Sequence, residues 1–331
     1  MNMDNPVLQK MQPILKERYG VDIALAKCFF STQNYAFIFP GEPYMIRVSM
    51  TPKKSRAEIL SELMWVDDLK QFKQTVCEPN RSLNKNLLEE FSIDGVTYRA
   101  SMFRTARGNV EPLAKMTPMF FLCVGDLMGT IHHVSTNERE LGIHYQRKTL
   151  QEQFAERKAR VKHRLSEDVL ARIERIEAEV NALPQDLGVY GICHGDFHLN
   201  NFFVEANNIW LFDFDSCCYA NYLYDVASFV QGIFLLGYKA GQDCRRVLYE
   251  DILPHLRYSY ELSKACPDGY WDHLELMIAY RTAYTLLALA EIDECGVLEI
   301  DSAKQFFSFI ITQENMLDAM TLAMKQAAKK C

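Results

Sequence analysis

The sequence predicts an α+β protein of two lobes, a small antiparallel-sheet N-terminal lobe and a mainly helical C-terminal lobe. Three observations lead there. Residues 25–103 hold short runs rich in aromatic and branched side chains, separated by turn residues. Beyond Thr117, apolar residues recur at helical spacing. One β-rich island, Val189 to Phe214, interrupts that helical region. A length of 331 residues suits two units of about 150 residues each.

The elements follow in order. Val7, Leu8, Met11, Ile14 and Leu15 share one helical face over residues 5–19, and Gly20 is a stop. Leu25 to Phe30, Tyr35 to Phe39 and Tyr44 to Val48 read as strands, with Pro40-Gly41-Glu42-Pro43 as a turn. Ile59, Leu63, Val66 and Leu69 make the stripe of a helix over 55–70. Asn86 to Phe91 and Val96 to Phe103 form a hairpin around Asp94-Gly95. The N-terminal lobe, 1–103, is therefore strand-strand-strand-helix-strand-strand. Residues 104–116 read as a linker, with Arg107-Gly108-Asn109 at its centre, and 117–331 as the helical lobe. Thr117-Pro118 is an N-cap followed by a first-turn proline, opening a helix to about His133. Amphipathic segments near 149–163 and 166–182 precede the island, and four long helical stretches follow it.

Composition excludes several classes. The formal charge of −7 argues against a broad nucleic-acid footprint. Ten scattered cysteines without a Cys-x-x-Cys pair suggest neither a zinc site nor a disulfide framework, so reduced thiols and a cytoplasmic location are expected. MNMDNPVLQK lacks the apolar core of a signal peptide. Leu274 to Ile292 is apolar, but Arg281 and Glu291 disqualify it as a bilayer span.

The chemistry concentrates in Cys193-His194-Gly195-Asp196-Phe197-His198-Leu199-Asn200-Asn201. A strand Phe202 to Val204, a turn at Asn207-Asn208 and a strand Ile209 to Phe212 follow, ending in Asp213-Phe214-Asp215. A hydroxyl is a poor nucleophile until its proton is accepted or its oxygen is aimed, and a carboxylate on a fixed loop, Asp196, can do either. Mg²⁺ wants oxygen ligands, and Asn201 and Asp213 stand on the two arms of the hairpin to supply them. The spacing His-x-Asp-x-x-x-x-Asn, then Asp-Phe-x, is the pattern of protein kinases. A loop whose Asp and Asn merely cap turns accounts for any one of these residues, but not for the set in this order. A metal hydrolase built on His194, Asp196 and His198 is a rival. It finds no further histidine cluster and leaves the N-terminal sheet without a role.

The island resembles the aminoglycoside phosphotransferase and choline kinase superfamily, a group with the protein-kinase-like fold. Gly195 stands where protein kinases carry arginine, as in that superfamily. Leu127-Met128-Gly129-Thr130-Ile131-His132 is similar to its helix ending in Leu-Gly-x-Leu-His, and Tyr224-Asp225-Val226-Ala227 to its Asp-Leu-Ala helix start. The likeness covers about residues 20–230. It implies a kinase using ATP (or GTP) and Mg²⁺ on a hydroxyl of a small-molecule acceptor, with no nucleic-acid or membrane partner. It assigns Asp196 as base or aligner, Asn201 and Asp213 as metal ligands, and Asp225 as a brace beneath the loop. His194 packs under the loop. Asp215 is either a second-metal ligand or solvent-facing, and His198 is left open.

For the nucleotide, Arg47 in the third strand stands where kinases place lysine, and its planar fork can grip phosphate. Glu62 is its expected partner, chosen over Glu58 because Glu62-x-x-Trp65 resembles the family helix. Ser31, Thr32, Gln33 and Asn34 occupy the phosphate-covering turn, which has no glycine, so hydroxyls and backbone N–H groups would do the holding. Phe103 to Thr105, Phe103 and Arg104 above all, are expected at the base. The helical region should build the acceptor pocket. An acidic lining drawn from Asp243, Glu250, Asp251, Glu261, Asp293 and Glu294 would suit aminoglycosides or choline-like amino alcohols, and Tyr219, Tyr222, Trp271 and Tyr280 are available as a cage. The alternatives are a protein Ser/Thr kinase of the same fold and a nucleotide-binding module without turnover.

Overall fold

A computed structural model describes residues 5–30, 34–50, 54–73, 75–110, 116–235 and 246–294. It divides into two compact units: Met1–Arg107 with Tyr145–Arg147 and Trp210–Asp215, and Gly108–His144 with Lys148–Ile209 and Ser216–Cys331.

In the first unit, helix α1 (Pro6–Tyr19) starts where the Asn5 side chain accepts from the Val7 N–H and ends at Gly20, whose φ of 73° lets its N–H reach the Lys16 carbonyl. Leu8, Met11, Leu15 and Tyr19 are buried in one cluster with side chains of the sheet. The sheet contains β1 (Lys27–Phe30), β2 (Asn34–Ile38), β3 (Tyr44–Met50), β4 (Pro79–Asn80), β5 (Glu89–Ile93) and β6 (Val96–Arg104). Their order is β1-β2-β3-β6-β4, with β5 also on β6, and every pairing is antiparallel. Leu25 lies in a single 3₁₀ turn ahead of β1 rather than in the strand, and the two-residue β4 has no run of its own to announce it. Asp94 and Gly95 both have positive φ, as a two-residue hairpin loop requires. Helix α2 (Arg56–Leu69) opens with a reciprocal Ser55–Glu58 capping box and buries Ile59, Glu62, Leu63, Trp65, Val66 and Leu69.

In the second unit, helix α3 (Pro118–Glu140) begins with the Thr117 side chain accepting from the Phe120 N–H and runs past the expected end at His133. Helices α4 (Leu150–Val161) and α5 (Glu167–Asn181) follow. The island forms β7 (Tyr190–Cys193), β8 (Phe202–Glu205) and β9 (Asn208–Leu211), and β10 (Cys218–Asn221), which the sequence reading did not include, follows it. β7 pairs antiparallel with β10, and β8 pairs with β9. None of these strands joins the six-stranded sheet. Trp210–Asp215 alone of this stretch counts with the first unit. Then come α6 (Leu223–Leu235), a π-helical turn Val247–Ile252, α7 (Leu253–Ser263) and α8 (Leu274–Glu294). A fourth long helical stretch, expected at the C-terminus, lies outside the described residues. α3 packs closely on α7: a Cβ on Gly125 would sit 2.1 Å from the Leu256 carbonyl oxygen, so only glycine fits. No helix among the described residues is long and apolar enough to cross a membrane. The cysteines among them are free thiols.

Candidate active site

The catalytic-loop candidates belong to the second unit. β7 delivers His194 into a sharp turn at Gly195, where φ is 82° and a Cβ would lie 2.2 Å from the Ser216 carbonyl oxygen. Both constraints demand glycine. Asp225, in the first turn of α6, accepts from the His194 and Gly195 backbone N–H groups, each at 2.8 Å. Its Oδ2 also lies 3.1 Å from His132 Nε2, and His132 Nδ1 is 2.8 Å from the Tyr260 hydroxyl. Burial works against the Asp225 charge, but the His132 hydrogen bond, nearby imidazoles and the Gly195 N–H hold its carboxyl below the usual range. Burial pushes the fully enclosed His132 down, to the neutral form. His132 therefore donates from Nε2 and accepts at Nδ1. Sequence reasoning placed His132 near a helix end; it lies inside α3, stacked on Tyr222.

Cys193 stands close enough to His132 and Asp225 for the three to resemble a metal cluster, with ligand atoms within 4.8 Å of one another. The carboxylate and both imidazole nitrogens are already hydrogen-bonded, and burial raises the thiol far above its ordinary value. These residues form a brace beneath the loop. His194, Asp196 and His198, the set of the hydrolase rival, are not brought together as metal ligands among the described residues.

Asp196 follows the turn and lines a cavity of about 360 Å³. Its Oδ1 is 2.5 Å from Arg281 Nη2, and its Oδ2 is 3.3 Å from His198 Nε2. His198 Nδ1 accepts from the Asn200 N–H, so its Nε2 carries the proton toward Asp196. Burial opposes the Asp196 charge. The His198 hydrogen bond and the Arg281 guanidinium outweigh it and hold the carboxyl well below the carboxylate range. The Asn201 amide nitrogen donates to the Asp196 carbonyl at 2.9 Å, which leaves its amide oxygen available for another partner. The cavity is also lined by Gln153, Arg157, Tyr284 and Thr285. Glu250, Asp251 and Glu261 do not line it. Tyr222 and Tyr280 are fully buried, and neither they, Tyr219 nor Trp271 face it. Asp243 lies outside the described residues, as do the side chains of Asp293 and Glu294.

The first unit gathers a separate set of charges. Arg47 Nη2 is 2.8 Å from Glu62 Oε1, with both side chains buried, and the guanidinium lies over the Phe103 ring at 4.9 Å. The other Glu62 oxygen has no hydrogen-bond partner among the described residues. The strand end that carries Asp213 is pinned by the Leu211 N–H to the Thr75 carbonyl and by the Cys77 N–H to the Leu211 carbonyl. Asp213 has φ of 64°, a region non-glycine residues seldom enter and functional residues do. Phe214 is buried edge-on against Trp65 of α2. Asp215 is not simply solvent-facing. Its carboxylate lies 2.7 Å from Lys54 and 3.7 Å from Arg47, and its carbonyl accepts from Arg147. Burial works against it, but Lys54, Arg47 and Arg147 bring its pKa down to about 2. Arg104 lies over Trp210 and 3.7 Å from Glu78. Asn34 opens β2, while Ser31, Thr32 and Gln33 lie outside the described residues. Sequence reasoning missed Lys54 and Arg147, whose partner Asp215 is far along the chain.

Residues 30–250, more than half of the chain, match the model of the phosphotransferase enzyme family. The chain belongs to that family. Its members' protein-kinase-like α+β fold is the fold found here, and the chain is a phosphotransferase. Amicoumacin kinase of Bacillus subtilis (strain 168) is 24% identical over 268 residues, covering 78% of this chain and 75% of that protein. Among solved structures, amicoumacin kinase hAmiN in complex with AMP-PNP, Ca²⁺ and Ami superposes with a TM-score of 0.79 at 18% identity, covering 96% of this chain and 93% of that one. A microcompartment-associated aminopropanol kinase superposes with a TM-score of 0.67 at 16% identity, over 97% and 98% of the two chains.

Proposed function

We propose that this phosphotransferase moves the γ-phosphoryl group of ATP, with Mg²⁺, to a hydroxyl of a small molecule, and that Asp196 aims that hydroxyl. The observation that carries the reading is an ionised carboxylate, fixed at both oxygens, on the wall of a cavity of about 360 Å³. So depressed a carboxyl is a weak base at the outset. Asp196 therefore accepts a hydrogen bond from the hydroxyl, aligns its oxygen with phosphorus, and takes the proton late, as the new O–P bond forms and the bond to the ADP leaving group breaks.

Arg47, held by Glu62, is assigned to the α- and β-phosphates, together with the turn Ser31 to Asn34. Phe103 and Arg104 are assigned to the base. Asn201 and Asp213 offer an amide and a carboxylate oxygen, the hard donors that Mg²⁺ takes, and would hold the ion that neutralises phosphate charge. His194 and Asp225 support the loop. Free thiols suit a cytoplasmic protein.

The likeness to amicoumacin kinases makes amicoumacin the first acceptor to try. The described cavity lining carries Arg157 and Arg281 against one carboxylate, Asp196. Arg157 is paired with Glu291 and Arg281 with Asp196, so the described wall offers a quaternary ammonium no uncompensated carboxylate. The test is ADP release from ATP or GTP in the presence of amicoumacin, aminopropanol, aminoglycosides, choline and a protein substrate. Turnover with a small-molecule hydroxyl is the expected result. Turnover with protein alone, or nucleotide binding without turnover with any acceptor, refutes it.

A further inference from the structure

We propose that Arg281 is a positioning residue for the transfer step, holding the Asp196 carboxylate in place at the cavity wall. The proposal rests on the reading of Asp196 given above and goes beyond it by assigning a residue outside the island. Arg281 lies on α8, in an otherwise apolar stretch, and its side chain is only 12% exposed. A guanidinium in such a place is expensive unless its donors are matched.

The matching is thorough. Nε donates to Gln231 Oε1 at 3.2 Å, and Nη1 to the Tyr224 hydroxyl at 3.1 Å and to the Gly195 carbonyl at 3.4 Å. Nη2 meets Asp196 Oδ1 at 2.5 Å. Gln231 is itself held, by its own amide on Thr282 Oγ1 and by the Thr285 hydroxyl on its Oε1, both at 3.1 Å. The guanidinium therefore cannot swing without breaking bonds to α6 and the loop.

Asp196, by contrast, stands on a loop. A loop carboxylate has a choice of rotamers, and reactive geometry tolerates little error. The grip on Oδ1 by Arg281, opposite His198 on Oδ2, removes that choice. Arg281 also lines the cavity, so the competing role is direct docking of the acceptor. The two roles differ in kinetics. A positioning residue acts through Asp196 and changes kcat; a docking residue changes the acceptor KM.

The experiment is a double-mutant cycle on the full chain, with ADP release from Mg-ATP read in amicoumacin, aminopropanol or water alone. Arg281→Gln should lower kcat by about 10²-fold, the loss expected from a misplaced reactive group. Acceptor KM and nucleotide affinity should stay near the parent values, whereas the melting temperature should fall, because the substitution strands the partners of a buried guanidinium. Arg281→Lys should recover part of the rate, because it restores the charge without the fork. Combined with Asp196→Asn, Arg281→Gln should add little further loss, since the group it positions is gone. Multiplicative losses, a raised KM at unchanged kcat, or a parental kcat each overturn the proposal. If Arg281→Gln does not fold, Arg281→Lys carries the same cycle, and failure of that variant to fold assigns Arg281 a structural role instead. Parental turnover by Asp196→Asn, or no ADP release from the parent with any of these acceptors, refutes the underlying reading. An impaired Asp196→Asn beside an unimpaired Arg281→Gln refutes this proposal alone.

Discussion

Replacing Asp225 by Asn probes how the reactive loop is held. The wild-type carboxylate is 1% exposed and serves three donors: the His194 N–H, the Gly195 N–H and His132 Nε2. Asn keeps the shape and one acceptor oxygen but turns an NH₂ toward donors that carboxylate oxygen now serves. At least one hydrogen bond to a charged group is lost, about 1.5–3 kcal/mol, and a buried donor is stranded, about 1–3 kcal/mol. The sum is about 2.5–6 kcal/mol, which brackets the roughly 3–5 kcal/mol of breaking other buried charged pairs. Set against a typical stability of about 5–15 kcal/mol, that is a large fraction. Urea unfolding followed by tryptophan fluorescence is the assay. With a slope near 3 kcal/mol/M, the midpoint should fall by about 1 M or more. ADP release by the fraction that remains folded should fall too, because the Gly195 turn loses its anchor. A variant whose midpoint stays within about 0.3 M of the parent would show that Asp225 does not support the loop energetically.

Arg47→Ala should weaken nucleotide binding, measured by titration with AMP-PNP, while Arg47→Lys retains part of it; unchanged affinity in the alanine variant removes Arg47 from the phosphate site. Asp213→Ala should abolish the dependence of nucleotide binding on Mg²⁺, and persistence of that dependence would exclude Asp213 as a ligand. The buried, neutral His132 has its pKa pushed below the ordinary 6.5, so the unfolded chain binds the extra proton first. Its contribution is therefore fully present above about pH 6.5 and is lost as pH falls through its lowered folded pKa. Melting temperatures taken between about pH 7 and 5 should fall with pH in the parent, and less steeply in His132→Gln; equal slopes contradict this.

Much of this was legible because local rules carry it. The Thr117 cap, the Asp94-Gly95 hairpin and the spacing from Asp196 to Asn201 are all written in neighbouring residues. Helix α3 ran past His133 because no breaker stands there; glycine with positive φ comes only at Gly142. The two-residue β4 exists through its pairing with β6, which no propensity encodes. Arg281 was visible only as a charge that disqualified a membrane span. Its partner lies 85 residues away, on an element joined to it by packing rather than by any spacing rule. The same holds for Lys54 and Asp215, 161 residues apart. The expectation of an acidic acceptor lining came from composition, and the described cavity wall instead carries two arginines.

The most direct measurement is turnover and nucleotide affinity of Asp196→Asn, side by side with the parent. The substitution keeps the size of the side chain and removes the charge that faces the cavity. Positioned acid–base groups contribute about 10²–10⁴ in rate, or roughly 3–5.5 kcal/mol of barrier. The variant should fold, bind Mg-AMP-PNP within about three-fold of the parent, and release ADP at least about a hundredfold more slowly with the acceptor the screen identifies. ADP release at the parental rate would contradict the account, and the His-Gly-Asp loop would then have to be read as something other than the reactive centre.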